Sequence, residues 1–544
     1  MPYVVDDSDF SVQLDLLRAL LIFLIVLVGI VIIRRQFWLF HWQLIQHRGE
    51  DVDEFHENAS AVRQSKSLKV GVALLVGVLI YKLIPYLAAP GFYIEDTMEF
   101  SDAFSDRSGL FDAESYRYYR GYVVVVSEVL VNLFASLPAV WQPYLYIFSA
   151  TSLLVLALVM LVASGIYRSG TVMVVAPVAL LLMAFTDNTF IASMTGVLFS
   201  STMLALAMSL RPLPSNGFKL LLWLSLVFVL VWSGPYGVQL LPFAVLMLVF
   251  YGAKSSTWSF AFLAFAAGSY LVVSAGGMTQ FSNIFDPLIQ ADFFNSLIRH
   301  VLLFDLLDYP DYKLGLIIIL GIVLTLYLLR DDRQFYKLSV AFLLVSLLSF
   351  LTYFISAKYA VYQGKFLSSH LIVSQACWIV FILLCVDRLA IRVNSNAAQA
   401  SLCFALLLTI GAGGYAKERK LVWTTAYPPD PKLHEFLQTV DFAESLELSD
   451  DEYVQLWYAK PKTPFQILFT TSYRRGSTAE DAKIVTKDVF PEHLQQFVAP
   501  NDLKREINSM LDYHVGQQAM IYANIKYQAL KRVMPMPEHL EAGK

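Results

Sequence analysis

Glu95 and Asp96 stand side by side a few residues beyond a long apolar run. They open a polar stretch, Gly91 to Tyr122, that is unusually acidic for a segment bordered by hydrophobic sequence. If a helix starts near Tyr93, then Glu95, Glu99, Asp102 and Asp106 recur at i, i+4, i+7 and i+11 and share one face. Asp96 lies about 100 degrees round from Glu95. Carboxylates so placed can take a proton from an attacking hydroxyl. They can also hold a divalent cation through oxygen ligands, Glu95, Asp96 and Glu99 forming the candidate set for Mg or Mn. Acids beside an apolar span are costly to desolvate unless they are used, which singles out Glu95 and Asp96. Asp102, Asp106, Asp112 and Glu114 read as a solvated face.

Other polar side chains could serve the same chemistry. Tyr116 to Arg120 closes the acidic stretch, and Arg117, Tyr119 and Arg120 are candidates to contact a sugar or phosphate, although arginines and aromatics at such borders commonly act as interfacial anchors. Asp187 lies in a short polar break between two apolar runs, and Glu128 inside one. Lys358, Lys365 and His370 flank aromatic residues between two late runs. Cations there, or Arg299 and His300 farther up the chain, could hold a phosphate and stabilise the charge it gains on leaving. Ser233 to Gly237 reads as a tight turn. Cys377, Cys385 and Cys403 sit within apolar runs and read as small core residues. No Cys/His metal spacing, phosphate-cradling glycine loop, nucleophile elbow or zinc-protease motif occurs.

The elements that must position these residues are set by composition. The chain of 544 residues is 57% hydrophobic and only 15% charged, well below the charge of ordinary soluble domains. Apolar runs long enough to cross a bilayer recur from Leu16 to Tyr415. No basic run points to nucleic acid. Acids precede the first run and Arg34–Arg35 follow it, the reverse of a cleaved signal peptide, so that run reads as a retained span. Arginines and lysines between Arg34 and Lys69 mark a cytoplasmic loop, which sends the Glu95–Asp96 segment to the far side. Counting back from Arg330 and Arg333, with Val123–Leu137 as a span, puts the same segment in the cytoplasm. The two counts differ by one crossing. Something between Gly121 and Arg168 must be re-entrant, surface-lying or one long tilted helix, with the break falling at Pro138 to Pro143. Ala291 to Leu307 has helical apolar spacing and is expected to lie along the membrane surface.

From Lys417 onward charges, prolines and short alternating runs replace the spans. Tyr453–Tyr458 and Phe465–Thr470 predict strands; Leu503–Tyr513 and Tyr522–Val533 predict helices. The expectation is an all-α polytopic membrane protein of about 12–13 transmembrane helices. It divides into a multi-spanning domain over 1–416, with external loops at 89–122, 276–313 and 358–370, and a small soluble α/β domain over 417–544.

This layout resembles the GT-C superfamily of integral-membrane glycosyltransferases over roughly Val70 to Tyr415. Glu95–Asp96 stands where that family carries an acidic pair in its first external loop. A second long external loop, about four further spans and a terminal soluble domain follow in the family's order. Lys358 and Lys365 match its basic residue before the penultimate span. Seven runs lie between the two long loops where the family usually shows six, which repeats the one-crossing conflict. The resemblance implies a sugar donor on a polyprenyl phosphate or pyrophosphate, an acceptor hydroxyl on a glycan or protein, and inverting displacement with Asp96 or Glu95 as general base. The enzyme would work at the external face among membrane lipid, which is the periplasm in a bacterium and the ER lumen in a eukaryote; a bacterial inner membrane is the expected location. Two other readings are open: an O-antigen ligase or polymerase type of enzyme, suggested by Arg299–His300, and a non-enzymatic transporter or assembly scaffold.

Overall fold

The computed structural model describes residues 62, 65–88, 117–118, 122–184, 194–251, 257–274, 296–304, 312–354, 368–393, 396–420, 431–446, 452–459, 468–474, 483–485 and 487–498. Among these, the chain is mostly helical. Four helical stretches are long and apolar enough to cross a membrane: Lys66–Ile84, Ala139–Val162, Arg333–Leu351 and Leu371–Leu389. Shorter apolar helices pack beside them.

In chain order the bundle runs α1 (Lys66–Ala88), a hairpin of β1 (Arg117–Tyr118) and β2 (Tyr122–Val123), then α2 (Val126–Phe134). A 3-10 turn (Ala139–Trp141) leads to α3 (Gln142–Val162), α4 (Gly170–Ala184), α5 (Thr195–Ser209), α6 (Gly217–Val231), α7 (Leu241–Tyr251) and α8 (Trp258–Ser274). A π-turn (Leu297–Leu302) precedes α9 (Tyr312–Leu328), α10 (Arg333–Phe354), α11 (Ser368–Val393) and α12 (Asn396–Lys420).

Contacts fix the helix directions. Gly71 of α1 lies against Met173 and Val174 of α4, and Gly170 against Ser67, so α1 and α4 run parallel. A Cβ at Gly71 would come within 2.7 Å of the Met173 carbonyl, so only glycine permits this approach. Tyr146 and Ala150 of α3 share an apolar cluster with Met194 and Val197 at the start of α5, so those two helices also run parallel. The ends Ala88 and Ala184, the starts of α3 and α5, and the hairpin therefore fall at one end of the bundle. Arg168 marks the other. The α10–α11 pair runs antiparallel, joined by reciprocal bonds from Ser346 Oγ to the Ser374 carbonyl (2.8 Å) and from Ser374 Oγ to the Ser346 carbonyl (2.7 Å). Within its apolar window α11 is 94% buried against 22% for α1, so α11 is the central post and α1 a peripheral one. The three cysteines are free and buried in the core.

Two expectations are corrected. Val123–Leu137 does not form a span: α2 is nine residues long, about 13 Å, against a hydrocarbon core of about 30 Å. Pro138 disfavours helical backbone at the residue before it, and Pro143 restarts the chain in the first turn of α3. With α2 out of the count, Lys66, Lys69, Arg168, Arg211 and Arg330 come to the same end. The second correction concerns Ala291–Leu307. Its described part, 296–304, is not a surface helix. It packs into the bundle with Leu297, Ile298, His300, Val301, Leu302 and Phe304 buried, because its apolar residues surround the turn on all sides rather than forming one stripe.

Beyond the bundle, α13 (Pro431–Ser445) accompanies a three-stranded sheet of order β4–β3–β5, formed by β3 (Glu452–Ala459), β4 (Leu468–Arg474) and β5 (Lys483–Ile484). β3 pairs antiparallel with β4 from Tyr453↔Arg474 to Ala459↔Leu468, and parallel with β5. These elements do not stand apart from the bundle. Phe436, Val440, Val454 and Phe497 share one buried cluster with Phe134, Ala139 and Tyr146. Asp441 of α13 accepts the Ala139 and Val140 amides, at 2.5 and 3.3 Å, capping the 3-10 turn. The segments 503–513 and 522–533 lie outside the described residues.

Candidate functional site

The hairpin end is where the described elements could serve chemistry. The hairpin base is anchored by side chains of the bundle. Tyr270 Oη of α8 donates to the Val123 carbonyl at 3.1 Å, and the Val126 amide donates to Ser233 Oγ at 3.2 Å. Tyr270 meets Trp232 edge-on, and Trp232 in turn stacks on Phe228. The expected turn from Ser233 to Gly237 is present, with Gly234 at φ +150° against Leu198 of α5. Arg117 is fixed through its backbone opposite Val123 in this hairpin. Glu128 is placed in the first turn of α2, at the bundle end rather than mid-membrane.

The π-turn carries Arg299 and His300. His300 is buried and Arg299 half-buried. Gln375 Nε2 of α11 donates to the His300 carbonyl at 2.7 Å, and Trp378 Nε1 donates toward the Leu302 carbonyl at 3.4 Å. Such π-turns are rare and concentrate at functional sites. Phe304 leaves the turn at φ +51°, a left-handed value unusual for an aromatic residue. Gly413 makes room for it: a Cβ there would stand 2.1 Å from the Phe304 carbonyl oxygen.

Glu95, Asp96, Glu99, Tyr119, Arg120, Asp187, Lys358 and Lys365 lie outside the described residues, as do their mutual distances. The helices that lead to two of these segments are described: α1 and α4 both end at the hairpin end, the one before 89–116 and the other before 185–193. Among the described residues no cluster of three His, Cys, Asp or Glu side chains could hold a metal ion.

A cluster at the opposite end was not foreseen. Asp387, fully buried near the end of α11, accepts the amides of Arg168 (3.1 Å) and Ser169 (2.6 Å) and pairs with Arg388. Arg388 also meets Asp332 at 3.1 Å, and Asp332 meets Arg168 at 3.3 Å. Ser169 Oγ donates to Gln399 Oε1 of α12 at 3.0 Å. Two acids and two arginines thus balance in one network that ties the α3–α4 turn to α10, α11 and α12. The signal available in the sequence is Asp387–Arg388 itself, an ionisable pair directly after an apolar run. Every charge in the cluster is met by an opposite charge, which suits a clamp better than a reaction centre.

Comparison of the chain with protein-family models, with characterised proteins and with solved structures returns no match.

Proposed function

We propose that the chain is a membrane glycosyltransferase of the GT-C type, moving a sugar from a polyprenyl-phosphate donor to an acceptor hydroxyl. The observation that carries this reading is the shared direction of α1 and α4. Both run from the Arg168 end, so both end where the Arg117 hairpin is anchored, α1 shortly before Glu95–Asp96 in sequence and α4 shortly before Asp187. Acids and an arginine brought together at such an end would be the materials for activating an acceptor hydroxyl beside a lipid phosphate. The basic residues Lys66, Lys69, Arg168, Arg211 and Arg330 supply the positive-inside bias at the other end. That bias supports an external site, which in a bacterial inner membrane faces the periplasm.

In this reading Asp96, with Glu95 beside it, removes the proton from the acceptor as it attacks the anomeric carbon. The oxygen attacks opposite the leaving phosphate, so the configuration inverts. Arg299 and His300, with Lys358 and Lys365, meet the charge that develops on that phosphate. A divalent cation held by Glu95, Asp96 and Glu99 would add its charge to the same task. Arg117, Tyr119, Arg120 and Asp187 contact the sugar or acceptor.

Replacing Glu95 by Gln and Asp96 by Asn together should lower transfer by about 10²–10⁴-fold, the usual contribution of a positioned base. The assay is external glycan formation at matched expression. Unchanged glycan with both carboxylates gone removes the reading. The burial of Arg299–His300 in a structured turn favours one second reading, an O-antigen ligase or polymerase type of enzyme. That reading calls for activity that survives the double acid replacement and is lost in Arg299→Ala.

A further inference from the structure

A turn that abandons α-helical hydrogen bonding inside an apolar bundle needs partners for its carbonyls. Here α11 provides them. Gln375 and Trp378 are three residues apart and project from the same face of that helix. They reach the His300 and Leu302 carbonyls, in the last three residues of the turn. Trp378 is itself held by stacking on Phe381, with ring centroids 5.2 Å apart. On the other two sides the turn is gripped through glycines. A Cβ at Gly315 of α9 would stand 2.2 Å from Ile298 Cδ1, and one at Gly413 of α12 would strike the Phe304 carbonyl. Three helices therefore fix the backbone that carries Arg299. Gln375 lies seven residues into α11, about 10 Å along its axis, so this grip is applied within the apolar body of the bundle. Arg299 is half-buried there, and the planar fork of an arginine suits a phosphate oxygen pair.

We infer that Gln375 and Trp378 are positioning residues that hold the 297–302 turn so that Arg299 meets the phosphate of a lipid-linked ligand. The inference rests on the lipid-phosphate reading above and extends it to a helix that carries none of the residues assigned there. The two α11 donors act through the backbone of the turn. They set preference for the phosphate headgroup, while affinity for the isoprenoid tail is set elsewhere.

The test measures binding of farnesyl phosphate and of farnesol, its uncharged alcohol, to the full chain in detergent. The wild type should prefer the phosphate. Gln375→Met should weaken farnesyl phosphate binding about tenfold, the loss expected when one hydrogen bond serving a charged contact is removed, and leave farnesol binding unchanged. Trp378→Phe, which removes only the N–H, should act in the same direction by a smaller factor and decides the matter if Gln375→Met does not fold. Arg299→Ala should abolish the preference. If Arg299→Ala removes the preference while both α11 variants keep it at the wild-type level, the positioning inference is overturned and the donor reading stands. Equal loss of phosphate and farnesol binding in the α11 variants also overturns it, because that is the mark of general destabilisation. A wild type with no preference for the phosphate overturns the inference and the lipid-phosphate donor together, whereas the acid pair is tested separately by glycan formation.

Discussion

Asp387 shows how a charge can be kept in an apolar post. It accepts two backbone amides and faces Arg388, so its desolvation is offset by charge-assisted bonds from two directions. Arg388 in turn relies on both Asp387 and Asp332. Removing one member leaves an uncompensated buried charge, which costs about 3–5 kcal/mol. Asp387→Asn should therefore lower the thermal unfolding midpoint in detergent sharply, and Asp387→Asn with Arg388→Met should lower it by less than the two single losses added together. Additive losses would show that the pair is not a unit. At this scale the sequence was legible for residue type and opaque for partnership. Asp387 and Arg388 were visible as ionisable residues, but Arg168 and Asp332 lie 219 and 55 positions earlier, and no local spacing joins them. Arg299 and His300 were readable as a cation pair. That their turn would be buried was not, because the helices that bury it belong to later sequence.

Among the elements, α2 and the 3-10 turn carry the most consequence. Their apolar composition is that of a span, while Pro138 and Pro143, which flank the turn, are the marks of a break, and the prolines decide. The turn is closed from outside the bundle by Asp441 of α13. Burial holds the Asp441 carboxyl above its ordinary value, against the opposing pull of the Ala139 and Val140 amides and of His434. The folded state thus binds its proton more tightly than the unfolded chain does. Stability from this contact is fully present below the ordinary carboxylate value and declines as pH rises through the window between that value and the raised one. Relative to Asp441→Asn, the wild type should gain in unfolding midpoint as the buffer is taken from neutral pH down through that window; a difference that stays flat contradicts the assignment. Asp441→Ala, which strips both acceptors from the turn, should cost about 1–2 kcal/mol at the acidic end of that window, as loss of a cap generally does, and less at neutral pH. Strand positions near Tyr453 and Thr470 could be read from alternation, whereas the docking of α13 onto the 3-10 turn had no sequence signal of its own.

For the molecule as a whole, the directions of α1, α4, α3 and α5 sort every described connection to one of two ends. Ser136, exposed beside the 3-10 turn, and Ser215, exposed between α5 and α6, belong to opposite ends. The native cysteines are buried, so single introduced thiols can be read against a quiet background. In intact cells a membrane-impermeant thiol reagent should label Ser136→Cys and leave Ser215→Cys unlabelled until the membrane is opened. The reverse pattern would invert the proposed orientation and move the acid pair to the cytoplasm. The apolar, helical character of the chain followed from composition alone. The single extra crossing did not, since hydropathy measures how apolar a segment is and only the backbone break at Pro138 shortens it.

The network around Asp387 also has a timetable. The amides of Arg168 and Ser169 emerge from the ribosome some 219 residues before the carboxylate that will receive them. At ordinary synthesis rates of about 5–20 residues per second, that interval is roughly 10–45 s. Throughout it α1, α3 and α4 must wait with one end unfastened, and the last helices to be made, α11 and α12, are the ones that close it. The final third of translation therefore completes the older part of the bundle as well as its own.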